Sequence, residues 1–421
     1  MRIPILKSRF LRQVATLMVG TGMAQLIPLV TSPLLSRLYS PEAFGTFGLF
    51  FSICATVSVL ASGRYELAIL LPKERRSAYN LVRLGLLLTA SFSGLLAVVG
   101  LVGRERLAAL FGDATVAPWL PWVSVGVLAT SGYQVLNYWL NRTDQYRWMA
   151  STRTLRSAVQ AGVSIGLAMA FGVAGGLVWG WLAGQGIGAL VLAVHIWTTT
   201  GDDRANNPHG GIRQVARRYV RFPLYSVPAD TLNSVIAQLP IWILGLHFST
   251  SVAGQVFFAQ RVLAAPLGMI GAAIGDVFKQ RASLAFIQEG NALRLWKKTF
   301  LTLMAMAVPV GLVVLLLGPW IFALVFGAEW RPAGQYARLL VPFLVLSFVS
   351  SPLSRVLYVA EKQNLDLFWQ VGLFFVTFGA LTLGSRQGDP FTAVLFYSLG
   401  YSAMYLVYLF LSYRAARGSA A

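Results

Sequence analysis

Apolar residues run along this chain in blocks of about twenty, each long enough to cross a bilayer core as a helix, separated by short polar and basic connections. Twelve such blocks are predicted, at 14–36, 43–63, 80–102, 117–138, 154–172, 175–197, 222–247, 252–274, 299–320, 335–358, 365–384 and 390–412. Only a Gly-rich turn near Gly172 to Gly176 divides the fifth from the sixth.

The pattern also repeats. Gly103-Arg-Glu-Arg-Leu-Ala-Ala-Leu-Phe-Gly112 reads like Gly318-Pro-Trp-Ile-Phe-Ala-Leu-Val-Phe-Gly327. Ser40 precedes Gly45 as Ser249 precedes Gly254, each at the tip of an expected helical hairpin, and Tyr138 precedes Arg142 as Tyr358 precedes Lys362. The offsets drift from 209 to 215 to 220 residues, as small loop insertions produce, and three matches in one order argue for an internal repeat. The expected architecture is an all-α polytopic membrane protein, with twelve transmembrane helices in two six-helix bundles. The expected division is a bundle at 1–200, a polar cytoplasmic linker at 201–221 and a second bundle at 222–421. With six spans each, both bundles enter the membrane from the same face, so the repeat is parallel.

Composition agrees: 56% of the residues are hydrophobic, only 12% are charged, and mean hydropathy is +0.65. That is too little charge for the surface of a soluble enzyme of 421 residues. The formal net charge of +19 points toward nucleic acid until its distribution is read. With the N-terminus inside, cytoplasmic segments collect roughly 27 of the 34 Lys and Arg residues, about six fall outside, and Arg261 lies within a span. The basic balance is therefore a topology signal and a means of contact with anionic membrane lipids, not a nucleic-acid surface. Both termini are expected in the cytoplasm. The basic N-terminus reads as an uncleaved first helix, because Pro28, Pro33 and Arg37 stand where a signal-peptide cleavage site is needed.

Catalytic and cofactor chemistry finds little support. Cys54 is the single cysteine, and His195, His209 and His247 have no ligand spacing, so neither a disulfide nor a metal site is expected. Gly162-Val-Ser-Ile-Gly166 has the serine-hydrolase spacing, but it sits in a predicted helix where small residues serve packing. No Gly-Lys pair occurs, which excludes a phosphate-binding P-loop. The sixth block carries Gly172, Gly176, Gly180, Gly184 and Gly188 at four-residue spacing, a flat face that lets a neighbouring helix approach closely. No cofactor is expected.

Polar residues inside spans carry the functional reading, since an ionised group at mid-bilayer costs ~2.5–3.5 kcal/mol and needs a cavity or a partner. Arg261 lies well inside the eighth block between Gln255 and Gln260, and Asp230 early in the seventh. These two either pair with each other, locking two helices, or line a cavity. Arg64 and Glu66 end the second block and Asp276 ends the eighth, while Arg37 and Arg355 lie nearer interfaces, where snorkelling accounts for them. The first and seventh blocks are the least oily, with Gln25, Pro28 and Pro33 in one and Pro223, Pro228, Asn233, Gln238 and Pro240 in the other. Prolines loosen the backbone ladder, so these helices are expected to border the cavity and flex.

Ser36-Arg-Leu-Tyr-Ser-Pro-Glu-Ala-Phe-Gly45, followed by Arg64-Tyr-Glu-Leu-Ala-Ile-Leu-Leu-Pro-Lys73, resembles the O-antigen and capsular polysaccharide flippases of the multidrug/oligosaccharidyl-lipid/polysaccharide exporter superfamily. The resemblance covers about the whole chain. It implies a V-shaped pair of bundles working by alternating access. It also implies an undecaprenyl-pyrophosphate-linked oligosaccharide as cargo, moved to the outer leaflet of a bacterial inner membrane by an ion gradient, with a glycan polymerase and a chain-length regulator as pathway partners. By motif match it carries over only Arg64-Tyr65-Glu66. Physical chemistry adds Arg64 or Arg261 for the pyrophosphate, Gln25, Asn233, Gln238, Gln255 and Gln260 for sugar hydroxyls, and Asp230 for ion coupling. A cation-coupled multidrug antiporter and a glycan polymerase or ligase are the rival readings; the short outer loops speak against the second.

Overall fold

The computed structural model describes residues 3–106, 114–172, 175–200 and 211–418. Every regular element among them is helical. Among the described residues, twelve helices have 21 residues or more: α1 (Ile3–Leu38), α2 (Pro41–Ala61), α3 (Arg75–Val102), α4 (Leu120–Arg142), α5 (Tyr146–Phe171), α6 (Gly176–Thr199), α7 (Val227–His247), α8 (Thr250–Glu289), α9 (Leu293–Phe326), α10 (Arg331–Leu353), α11 (Gln363–Ser385) and α12 (Pro390–Ala416). Nine of the described helices are long and apolar enough to cross a membrane. Helices α1, α4 and α5 fall outside that group. Helix α5 carries Arg147, Arg153 and Arg156, which dilute its apolar character.

Two compact units divide the chain. The first holds residues 1–39 and 46–235, the second residues 40–45 and 236–421. Within the first unit α3 packs on α4, α5 on α6 and α4 on α6. Within the second the same pairs recur six helices later: α9 on α10, α11 on α12 and α10 on α12. The helix caps recur too. After α4, Asp144 takes a left-handed conformation (φ 56°) and Gln145 N–H donates to Leu140 O at 2.9 Å. After the short helix Val356–Val359, Glu361 does the same (φ 57°) and Lys362 N–H donates to Leu357 O at 2.8 Å. Both are Schellman-type ends that use the chain reversal to satisfy a terminal carbonyl. Their separation falls three residues short of that between Tyr138 and Tyr358, nearly one helical turn away from the match read in the sequence. Residues 107–113, which hold most of the Gly103–Gly112 half of another match, lie outside the described residues, as does the linker stretch 201–210.

The glycine face of α6 is a packing device. A Cβ at Gly180 would lie 2.0 Å from Ser164 Oγ, and one at Gly184 would lie 2.7 Å from Arg156 O, so α5 approaches to backbone distance. Ser164, at the centre of the hydrolase-like spacing, is buried and donates to Gly176 O at 3.2 Å. It is a helix-pair residue. Part of the expected linker is folded: Gly211–Arg218 is helical, with Ile212, Val215, Ala216 and Tyr219 at helical spacing packed into the core cluster of the first unit.

Candidate functional site

After α2 the chain reverses within the first unit through two consecutive left-handed residues, Gly63 (φ 60°) and Arg64 (φ 59°). That conformation is free for glycine but costs roughly 1–2 kcal/mol at an L-residue. The segment after Arg64 is anchored firmly enough to hold that strain in place. Tyr65, Ala68 and Ile69 are buried, and Tyr65 Oη donates to Ala216 O at 3.1 Å. Arg142, from the end of α4, donates to Ile69 O at 3.0 Å and Pro72 O at 2.6 Å. Arg142, noted in the sequence only as part of a repeat, is thus the clamp on this segment.

The turn brings three charges together. Arg64 Nη1 lies 3.3 Å from Glu66 Oε1, and Arg64 Nε lies 2.8 Å from Asp230 Oδ2. The second contact is a charge pair without an aligned N–H, since the buried Nε makes no hydrogen bond of good geometry. Glu66 is buried, and its other oxygen accepts from Ser62 Oγ at 2.5 Å. Asp230 is 39% exposed, against 2% for Glu66, so one carboxylate is sealed in and the other is reachable. Tyr138 lies within electrostatic reach of all three charges. Asp230 itself stands at the start of α7, just after residues Phe222–Ser226, which wind as a π-helix next to Pro223 and Pro228. Such a bulge marks a place where the regular ladder gives way. The sequence left Asp230 with Arg261 as one possible partner; its partner is Arg64.

Gln25 and Asn233, in the first unit, are exposed on their helices. In the second unit Arg261 is half-buried, with its guanidinium carbon 5.8 Å from the Phe257 ring centre. Gln260 Nε2 donates to Tyr397 Oη at 3.4 Å, Gln255 Oε1 is buried without a hydrogen bond, and Gln238 is half-buried. Arg355, expected to snorkel, forms an ion pair with Asp276.

Two polar clusters escaped the sequence reading. Asp366, in the first turn of α11, is buried and accepts from Tyr358 at 3.0 Å, from Gln370 at 3.1 Å and from Tyr408. The signal was present as an acid three residues into a span with Gln one helical turn on. Arg156, in α5, lies over the Tyr133 ring at 4.0 Å and donates to Gln185. Glycine at position 188 leaves room for it, since a Cβ there would lie 2.4 Å from the Arg156 side chain.

Nine helices of this length and apolarity define a multi-pass membrane protein. The chain belongs to the polysaccharide biosynthesis protein family, whose sequence profile matches residues 34–335. It is 22% identical over 410 residues to the succinoglycan biosynthesis transport protein ExoT of Rhizobium meliloti (strain 1021), covering 92% of this chain and 76% of that one. Among solved structures it is similar to the lipid II flippase MurJ in an inward closed conformation, with TM-score 0.74 and 12% identity over 94% of this chain and 87% of that one. An inward-facing multidrug resistance MATE transporter of the MOP superfamily gives TM-score 0.69 at 16% identity, covering 92% of this chain and 93% of that one. A MOP superfamily transporter from Pyrococcus furiosus gives 0.61 at 15%, covering 96% and 94%. At these identities the likeness is one of fold.

Proposed function

We infer that this chain is a flippase and not an enzyme. It carries an undecaprenyl-pyrophosphate-linked oligosaccharide repeat from the inner to the outer leaflet of a bacterial inner membrane, for O-antigen or exopolysaccharide assembly. Two six-helix halves, at 1–200 and 222–421 with 201–221 between them, work by alternating access, with both termini in the cytoplasm. Membership of the polysaccharide biosynthesis family supports the cargo class. The observation that carries the mechanism is the ion pairing of Arg64 with both Glu66 and Asp230.

One guanidinium facing two carboxylates leaves no net attraction for a pyrophosphate. Arg64 becomes an anion site only when a carboxylate gives it up, and the exposed Asp230 is the one able to do so. A proton or cation at Asp230 then frees the planar fork of Arg64 for phosphate oxygens, which couples the ion gradient to cargo binding. Gln25, Asn233, Gln238, Gln255 and Gln260 meet sugar hydroxyls, and Arg261 is a second phosphate donor. A glycan polymerase and a chain-length regulator receive the product.

The decisive experiment is deletion of the gene. Lipid-linked repeat units then accumulate on the inner leaflet and reappear outside when the wild-type chain is restored. Normal surface glycan in the deletion strain would remove the proposal. The excess of carboxylate over cation around Arg64 favours a second reading, a cation-coupled multidrug antiporter. Under that reading organic cations compete for transport and the lipid-linked glycan does not.

A further inference from the structure

At one end of the second unit, a hollow of about 570 Å³ is lined by Lys362, Asn364, Leu365, Leu411, Arg414 and Arg417, with no carboxylate on its wall among the described residues. A neighbouring hollow of about 760 Å³ in the same unit balances Lys279 with Asp276 and Glu361, so cation excess is not general to this end of the bundle. The walls are firmly set. Ala292 N–H donates to Ala416 O at 2.8 Å and Trp296 Nε1 donates to Ser412 Oγ at 3.1 Å, fixing the end of α12 against the start of α9. Lys362 is held by its N–H bond to Leu357 O. Arg417 is braced on Tyr413, donating to its hydroxyl at 2.8 Å with the guanidinium 4.6 Å from the ring centre, and Lys297 adds positive charge near the same tyrosine.

The positive-inside tendency accounts for basic residues at a cytoplasmic helix end, and the α12 dipole favours Arg414 in its last turn and Arg417 at its C-cap. Neither accounts for Lys362, from a different segment, converging on the same acid-free hollow. We propose that this hollow is a binding site for the phosphate of an anionic phospholipid headgroup, separate from the Arg64 cluster. Arginine and lysine at fixed positions around a pocket of this size satisfy the oxygens of a phosphodiester, and basic pockets at membrane depth select acidic lipids over zwitterionic ones. A headgroup seated there ties the end of α12 to the loop before α11. The site does not depend on the flippase reading, so either can fail alone.

Native mass spectrometry of the full-length protein in detergent, with phosphatidylglycerol or phosphatidylcholine added, tests it. The wild-type chain is expected to retain phosphatidylglycerol in preference. Each of Lys362→Gln, Arg414→Gln and Arg417→Gln is expected to weaken that retention by about fivefold, the equivalent of ~1 kcal/mol per charge near a surface. Lys279→Gln in the neighbouring hollow is expected to leave it unchanged, and Arg414→Lys to keep most of it. Equal melting temperatures of the variants in phosphatidylcholine confirm that folding is intact; any variant that melts lower is replaced by the neutral Met exchange at the same position. A phosphatidylglycerol preference that survives all three substitutions, or that falls equally with Lys279→Gln, overturns the proposal. So does inorganic phosphate that displaces the lipid at equal concentration, which assigns the hollow to free phosphate.

Discussion

Arg64 Nε lies 2.8 Å from Asp230 Oδ2, joining the strained turn after α2 to the loosened start of α7. The two residues stand 166 positions apart in the chain, and nothing in either local sequence names the other. The pair is partly open to solvent, so its value for stability is small, in the range of about 0–1 kcal/mol for exposed ion pairs. Its position at the junction of a left-handed residue and a π-helical stretch is the ground for the coupling role proposed for it.

Arg64→Ala is expected to lower glycan export by about tenfold or more with little loss of protein, because hydrogen bonds to charged groups contribute about 1.5–3 kcal/mol. Arg64→Lys restores charge but not the fork and recovers only part of the activity. Export measured against membrane-extracted protein level checks this. Full export by Arg64→Ala would strike the residue from the site.

Asp230→Asn is expected to keep the fold and to leave transport by reconstituted protein insensitive to the imposed ion gradient. The amide still fills the space beside Arg64 but no longer exchanges charge. Glu66→Gln behaves differently. Glu66 is sealed from solvent, so its replacement weakens the buried contacts with Arg64 and Ser62 and lowers the melting temperature. If both variants responded alike, the division between a sealed and a reachable carboxylate would be wrong.

Gly254→Val is expected to abolish stable expression. In the second unit a Cβ at Gly254 would lie 2.0 Å from Pro41 O and 2.6 Å from Gly45 N, and the obstructing atoms are backbone. Gly45→Val meets Thr250 O at 1.9 Å and should fail in the same way. Gly94→Val, at a glycine with open space around the Cβ direction, serves as the control. The level of protein extracted from the membrane checks this: it should stay normal for Gly94→Val and fall away for the other two.

Asp366→Ala leaves the buried Tyr408 hydroxyl, the more exposed Tyr358 hydroxyl and the Gln370 amide without their acceptor. The expected cost is about 1–2 kcal/mol, the scale of side-chain hydrogen bonds between membrane helices. A melting temperature equal to wild type would show that water or neighbouring carbonyls replace the carboxylate.

Much of the fold was legible in the chain itself. Helix positions followed from apolar blocks near bilayer length, and the four-residue glycine period of α6 announced a close helix neighbour, which α5 is. The order of packed helix pairs in the two units agrees with a duplicated plan, and Gly45 and Gly254, picked out as repeated hairpin tips, are glycines with no room for a Cβ. The basic segment Gly211–Arg218 hid a helix, because its apolar spacing covers barely two turns and its composition reads as linker.

What the sequence by itself determined about this protein is its solvent and its elements: long apolar helices, sparse charge, and a basic excess concentrated in expected inner loops. Those properties are local sums over neighbouring residues and need no coordinates. Only the tertiary structure decided the partnerships. It gave Asp230 to Arg64, set Arg142 on the loop that presents Arg64, placed Arg156 on Tyr133 and surrounded Asp366 with hydroxyls. A charge in an apolar helix announces that a partner is needed, because desolvation makes isolation costly. Which of several distant polar groups becomes that partner depends on helix rotation and on a turn conformation, and neither is written in the identity of the residues that meet.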